Sequence, residues 1–125
     1  MEFKSNKGIF QQIADSICDR ILSGEFKPGD KVPSVRELAG LLGVNHNTIM
    51  RTFIELQHAN IVENRRGIGY YVTESAPKMI QNQRKAEFFE TELPSFVELV
   101  KLLDIRSEEL KPLFDQLEIR NHETN

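Results

Sequence analysis

At 125 residues the chain has room for one domain with a proper core and a small appendage, but not for two full domains. A hydrophobic share of 39% and a charged share of 28% describe an ordinary globular protein, and no run of about 18 apolar residues is present to span a membrane. The net charge of −3 argues against a protein that binds nucleic acid through overall basicity, although the charge is uneven: nine Lys/Arg balance nine Asp/Glu through Ser75, and the rest of the chain holds seven against ten.

From Ile9, "IFQQIADSICDRILSG" repeats isoleucine at Ile9, Ile13, Ile17 and Ile21, with Phe10, Ala14, Cys18 and Leu22 beside them, and stops at Gly24. That spacing predicts an amphipathic helix with a glycine end. "EFKPGDKVPS" carries two prolines and a Pro-Gly pair, so a loop or turn is expected. Ser34 and Glu37 stand at capping-box spacing in front of a second helix, whose apolar face is Val35, Leu38, Ala39 and Leu42 and whose end is Gly43. A third helix follows at once, with Asn45 as its cap, and runs to about His58. Two helices joined by a short glycine turn form a helix-turn-helix.

The period then changes. Ile61 and Val62, then Tyr70, Tyr71 and Val72, are β-prone pieces separated by "ENRRGIG", in which Gly67 and Gly69 permit a tight turn. A β-hairpin with Arg65 and Arg66 near its tip is expected, and three helices followed by such a hairpin make a winged helix-turn-helix. From Ala76 to the end the chain reads as charged helix. Met79, Ile80, Ala86, Phe89 and Leu93 form one stripe, Pro94 should kink or break that helix, and Ser107 should cap the last one, in which Pro112 falls early. Residues 120–125 should fray. Two or three short helices cannot bury Phe88, Phe89, Phe96, Leu99, Val100, Leu103, Leu113, Phe114 and Leu117 among themselves, so a second copy of the chain is the expected cover. The predicted architecture is thus mainly α with a small β-hairpin: a winged helix-turn-helix DNA-binding domain over 1–75 and a C-terminal α-helical dimerisation segment over 76–125.

The run "GEFKPGDKVPSVRELAGLLGVNHNTIMRTFIELQHANIVENRRGIGYYV" resembles the DNA-binding domain of GntR-family bacterial transcription regulators. The resemblance rests on the Pro-Gly-Asp turn, Pro-Ser-x-Arg-Glu-Leu-Ala, the Val-x-x-x-Thr recognition helix and the Gly-x-Gly wing, and covers about residues 9 to 73. Asn-x-Asn-Thr, Phe53-x-Glu55-Leu56 and a short tail are similar to the YtrA subfamily, from which His46 departs, where proline is frequent, and Asn60, where glycine is usual. It implies a homodimeric repressor of a two-fold symmetric operator, commonly beside transporter genes. An unknown small-molecule effector is a possible further partner: the roughly 50 residues behind the wing leave little room for a pocket inside one protomer, and a cleft between protomers stays open to it.

On a helical wheel, Ile49, Thr52, Phe53 and Leu56 share one arc, and Asn47, Arg51 and Glu55 the opposite one, with Thr48 adjoining. Asparagine can pair bidentately with adenine and arginine with guanine in a major groove. Asn45, His46 and Thr48 stand at the helix start, where backbone N–H groups favour a phosphate. Such contacts depend on fields within a Debye length of ~8 Å at physiological salt, so a domain with no net charge can still make them. Arg36, and with it Ser34 at the same helix start, is assigned to DNA by the resemblance. In a winged helix, Arg65, Arg66, Gly67 and Gly69 would meet the minor groove or flanking phosphates. The plain alternatives are a cap for Asn45, an exposed histidine for His46, a solvated face for Asn47 and Arg51, an ion pair for Arg36, and solubilising charge for Arg65 and Arg66.

Enzymatic chemistry finds no support. Gly67-Ile68-Gly69 lies in a hairpin rather than between a strand and a helix, where a phosphate-cradling loop belongs. His46, His58 and His122 have no metal-ligand spacing with each other or with Cys18, no cofactor is implied, and Cys18 reads as apolar filling. The first residues lack the pattern of an export signal, so a cytoplasmic site of action is expected. A competing reading is a winged-helix protein-interaction adaptor without specific DNA binding, since fold alone does not decide function.

Overall fold

A computed structural model describes residues 8–124, with side chains described through Ile119. Helix α1 (Ile9–Leu22) turns Ile13, Ala14, Ile17, Cys18 and Ile21 into the core, and Gly24 beyond it adopts φ 88°. Helix α2 (Val35–Leu42) starts on the capping box: the Glu37 N–H donates to Ser34 Oγ at 3.1 Å, and the Ser34 N–H donates to Glu37 Oε1 at 3.0 Å. It ends at Gly43 with φ 63°, where the Val44 N–H reaches back to the Ala39 carbonyl. Helix α3 (His46–His58) buries Ile49, Thr52, Phe53 and Leu56, the arc drawn from the sequence. Asn60 takes the left-handed conformation usual for glycine, at φ 62°, and the Ile61 N–H closes the helix end on the Leu56 carbonyl.

The wing is longer than the sequence suggests. Strands β1 (Val62–Arg65) and β2 (Gly69–Val72) pair antiparallel from Val62↔Val72 to Arg65↔Gly69, so Glu63, Asn64 and Arg65 belong to a strand and not to the turn. The turn itself closes with the Ile68 N–H on the Arg65 carbonyl at 2.9 Å, and Gly67 supplies its positive φ of 77°. The loop expected between α1 and α2 contributes as well. The Gly29 and Val32 N–H groups donate to the Val72 and Tyr70 carbonyls, and the Val72 N–H donates to Asp30 O, so this segment runs along β2 like a third strand. Phe53 stacks on Tyr70 with centroids 4.5 Å apart and planes 8° from parallel, tying α3 to the wing.

Helix α4 (Ala76–Glu87) begins inside the same core. Ala76 and Ile80 are buried, and Arg84 clasps α1 by donating to Asp19 Oδ1 at 2.7 Å and to the Asp15 carbonyl at 3.2 Å. The chain accordingly separates into compact units 1–84 and 85–125, a division several residues beyond the expected 75/76, because the start of α4 fills the winged core.

In the second unit Pro94 does not break the helix. A π-helical segment (Phe88–Glu92), in which the Leu93 N–H reaches the Phe88 carbonyl, leads directly into α5 (Leu93–Leu102) with the proline in its first turn, where its missing N–H costs little. Ser95 Oγ returns a hydrogen bond to the Thr91 carbonyl. The expected cap at Ser107 is corrected: the flanking residue of the 3-10 turn (Ser107–Leu110) is Arg106, whose N–H donates to Glu109 Oε2 at 2.9 Å, while the Ser107 hydroxyl goes to Glu108. Helix α6 (Lys111–Thr124) accepts Pro112 as its second residue and is continuous to Thr124, although the side chains of 120–125, with the expected fraying and His122, lie outside those described.

Candidate nucleic-acid interface

Asn45 sets the orientation of α3. Its backbone is extended (φ −58°, ψ 137°) and its side-chain oxygen accepts from the Asn47 N–H at 2.7 Å, while its carbonyl accepts from the Thr48 N–H at 3.0 Å. The cap therefore consumes part of the phosphate-binding capacity expected at this helix start. Among the described residues, the His46 N–H is the first-turn donor left without a protein partner.

The outer face carries exposed Asn45, His46, Asn47, Arg51 and Glu55, with Thr48 half-buried beside them. The Asn47 carboxamide and the Arg51 guanidinium N–H groups have no hydrogen-bond partner among the described residues. The Arg51 guanidinium is not loose, however, because its Cζ lies 4.4 Å over the ring centroid of Phe10. On the buried face the Thr52 hydroxyl bonds the Thr48 carbonyl at 2.9 Å and the Phe10 carbonyl at 3.3 Å, which pins the first turn of α1 against α3.

The six remaining candidate positions differ in availability. Arg36 is exposed on α2 without an ion pair among the described residues, so the carboxylate pairing weighed from the sequence is not formed. The half-buried Ser34 uses its hydroxyl oxygen as the helix cap. Arg65 stands near the hairpin tip as expected, as the last paired residue of β1, but its side chain lies back across the sheet: it donates to Glu63 Oε1 through Nε and Nη2 and rests 4.0 Å over the Tyr71 ring. Arg66, in the turn, is exposed and unpaired among the described residues. Gly67 and Gly69 both need positive φ, and a Cβ on Gly69 would stand 3.0 Å from Lys31 Cε, so the wing and the Lys31 side chain are in close approach.

Phe10, Lys31 and Tyr71 were not singled out as site residues from the sequence. Each lies far along the chain from the group it touches or on the neighbouring strand, so no local pattern reveals it. Elsewhere the chemistry is quiet. Burial pushes the Cys18 thiol up to about 11, with nearby Arg84 opposing, so the cysteine is apolar filling and not a nucleophile. No cluster of three His, Cys, Asp or Glu able to hold a metal occurs among the described residues, and no described helix is long and apolar enough to cross a membrane.

The second unit presents the opposite surface. Between 85 and 119 no side chain is buried. Phe88, Phe89, Phe96, Leu99, Leu103, Leu113, Phe114 and Leu117 are all exposed and Val100 is half-buried, while Leu102, at 79%, is more open than any of them.

Three helices, of which the second of the helix-turn-helix pair exposes a polar outer face, and a two-stranded wing define a winged helix-turn-helix DNA-binding protein. The pattern of the bacterial regulatory proteins of the gntR family matches residues 9–72, and the chain belongs to the GntR family. It is 43% identical over 109 residues to the uncharacterized HTH-type transcriptional regulator YhcF of Bacillus subtilis, covering 87% of this chain and 88% of that one. It is 42% identical over 73 residues to the HTH-type transcriptional repressor YtrA of the same organism, covering 58% of this chain and 56% of the relative. A GntR family transcriptional regulator from Listeria monocytogenes superposes with a TM-score of 0.70 at 33% identity, over 89% of this chain and 96% of that one. The protein is thus a DNA-binding transcriptional regulator and not an enzyme.

Proposed function

We propose that the protein is a repressor that binds a two-fold symmetric operator as a homodimer in the cytoplasm, with α3 in the major groove and the wing at the minor groove or flanking phosphates. The observation that carries this reading is the outer face of α3, where the Asn47 carboxamide and the Arg51 guanidinium present hydrogen-bonding groups without a hydrogen-bond partner among the described residues. Both residue types match purine edges in the major groove. Arg36, Arg66 and the His46 N–H supply cationic or polar contacts of the kind that position a protein on phosphates. The repressor assignment draws support from the name of the YtrA relative. The homodimer draws support from the second unit, whose exposed phenylalanines and leucines form the kind of surface that a self-complementary interface covers. Half-sites about one helical turn apart, roughly 34–36 Å, follow for such a dimer.

The test is selection of bound sequences from random DNA by the full chain. A palindromic motif is expected, together with a loss of about 1–3 kcal/mol for Arg51→Ala at one base step. Arg66→Ala should weaken all duplexes alike and flatten the salt dependence. Recovery of no enriched motif would favour the protein-interaction adaptor instead.

A further inference from the structure

Among the described residues of the winged unit, three arginines lie over aromatic rings, and their surroundings differ. Arg20 sits 5.7 Å over Phe26 with Glu25 at 3.8 Å, and Arg65 sits 4.0 Å over Tyr71 with two hydrogen bonds to Glu63. Arg51 sits 4.4 Å over Phe10 with no carboxylate partner among the described residues. A carboxylate would hold an arginine by occupying its N–H donors. A ring attracts the cation through its π face and leaves those donors free.

We infer that Phe10 is a positioning residue for Arg51, holding the guanidinium on the outer face of α3 so that its N–H fork is ready for a base edge. This rests on the reading of α3 as the helix that enters the major groove. The backbone that carries the ring is anchored: Phe10 is half-buried in the first turn of α1, and its carbonyl accepts from the fully buried Thr52 hydroxyl, one residue beyond Arg51. The arginine side chain has several rotatable bonds, and much of their freedom is lost when two hydrogen bonds to one base form. Restraint before binding reduces that loss, and it does so for one contact only. The contribution of Phe10 therefore falls on discrimination at the base pair that Arg51 reads, and not on the phosphate contacts that set general affinity. The requirement is for an aromatic face, since an aliphatic side chain of similar bulk fills the space without attracting a cation.

The experiment measures binding of the full chain to the duplex recovered by selection from random DNA, and to its complete set of single-base substitutions. Arg51→Ala first identifies the base pair at which discrimination is lost. Phe10→Leu should lower discrimination at that same pair by about two- to fivefold, the size of an exposed cation–π contact. Other positions and the salt slope should stay unchanged, Phe10→Tyr should retain the wild-type ratio, and Phe10→Leu should add nothing to Arg51→Ala. The ratio between duplexes is insensitive to the folded fraction, so a variant of lowered stability still reports. Equal weakening of every duplex by Phe10→Leu, unchanged discrimination, or full additivity with Arg51→Ala would each overturn the positioning role alone. Undiminished discrimination in Arg51→Ala would overturn the placement of α3 together with it.

Discussion

The two units of this chain solve the burial problem in opposite ways. The first assembles a core from every one of its elements: α1, α2, α3, both strands and the start of α4 all contribute fully buried side chains or close neighbours of them. Phe53, Ile49, Val32, Val62, Val72 and Ile80 are nearly or wholly inaccessible there. The second unit, through Ile119, buries nothing. Both halves are rich in apolar residues, so composition does not separate them. The difference is topological: helices that meet across a turn and a hairpin can surround a common centre, while a short succession of helical segments leaves one side of each open.

The contrast can be broken most forcefully from within. Phe53→Ala removes a wholly buried ring stacked on Tyr70 and should destabilise the winged unit by about 3–5 kcal/mol, read by denaturant unfolding of the full chain. An equivalent truncation in the second unit should hardly change the folding of the first, but should act on assembly. Phe114→Glu is expected to weaken self-association by about 2 kcal/mol, the scale of an interface anchor, and sedimentation equilibrium across a concentration series would register it. A chain that is monomeric before the substitution would refute the proposed dimer surface.

Smaller changes sharpen the same division. Ser34→Ala should cost about 1 kcal/mol through loss of the α2 cap. The Glu37 half of that cap adds a pH dependence: hydrogen bonds from the Ser34 backbone and then its hydroxyl hold the Glu37 carboxyl below its ordinary value. A depressed carboxylate contributes stability that is present above its unfolded value and lost as pH falls through the folded one. Titration of thermal stability should therefore show the advantage of wild type over Glu37→Gln shrinking on acidification below the ordinary carboxylate range. Smallest of all, Asp104, at φ 52°, ends α5 in a left-handed conformation with the Ile105 N–H on the Val100 carbonyl. Asp104→Gly should be neutral or stabilise the second unit by about 0.5 kcal/mol, detectable as slower amide exchange in α5.

Much of this was written locally. The cap at Asn45, the capping box of Ser34 with Glu37, the stop at Gly43 and the division of α3 into a buried and an exposed arc all depend on residues within one helical turn of each other. The helix-turn-helix and its GntR relationship follow from such local signals set in order, and the exposed apolar surplus of the tail was legible by counting. Tertiary structure decided which cation is free and which is spent. It laid Arg65 across Tyr71, brought Lys31 against Gly69, and placed Phe10 under Arg51. It also drew Ala76, Ile80 and Arg84 into the winged unit, so that a stripe reading as one helix face is divided between two units. Helical and strand periodicity specify which way a side chain faces, but the identity of what it meets across the core depends on how distant segments close around one centre.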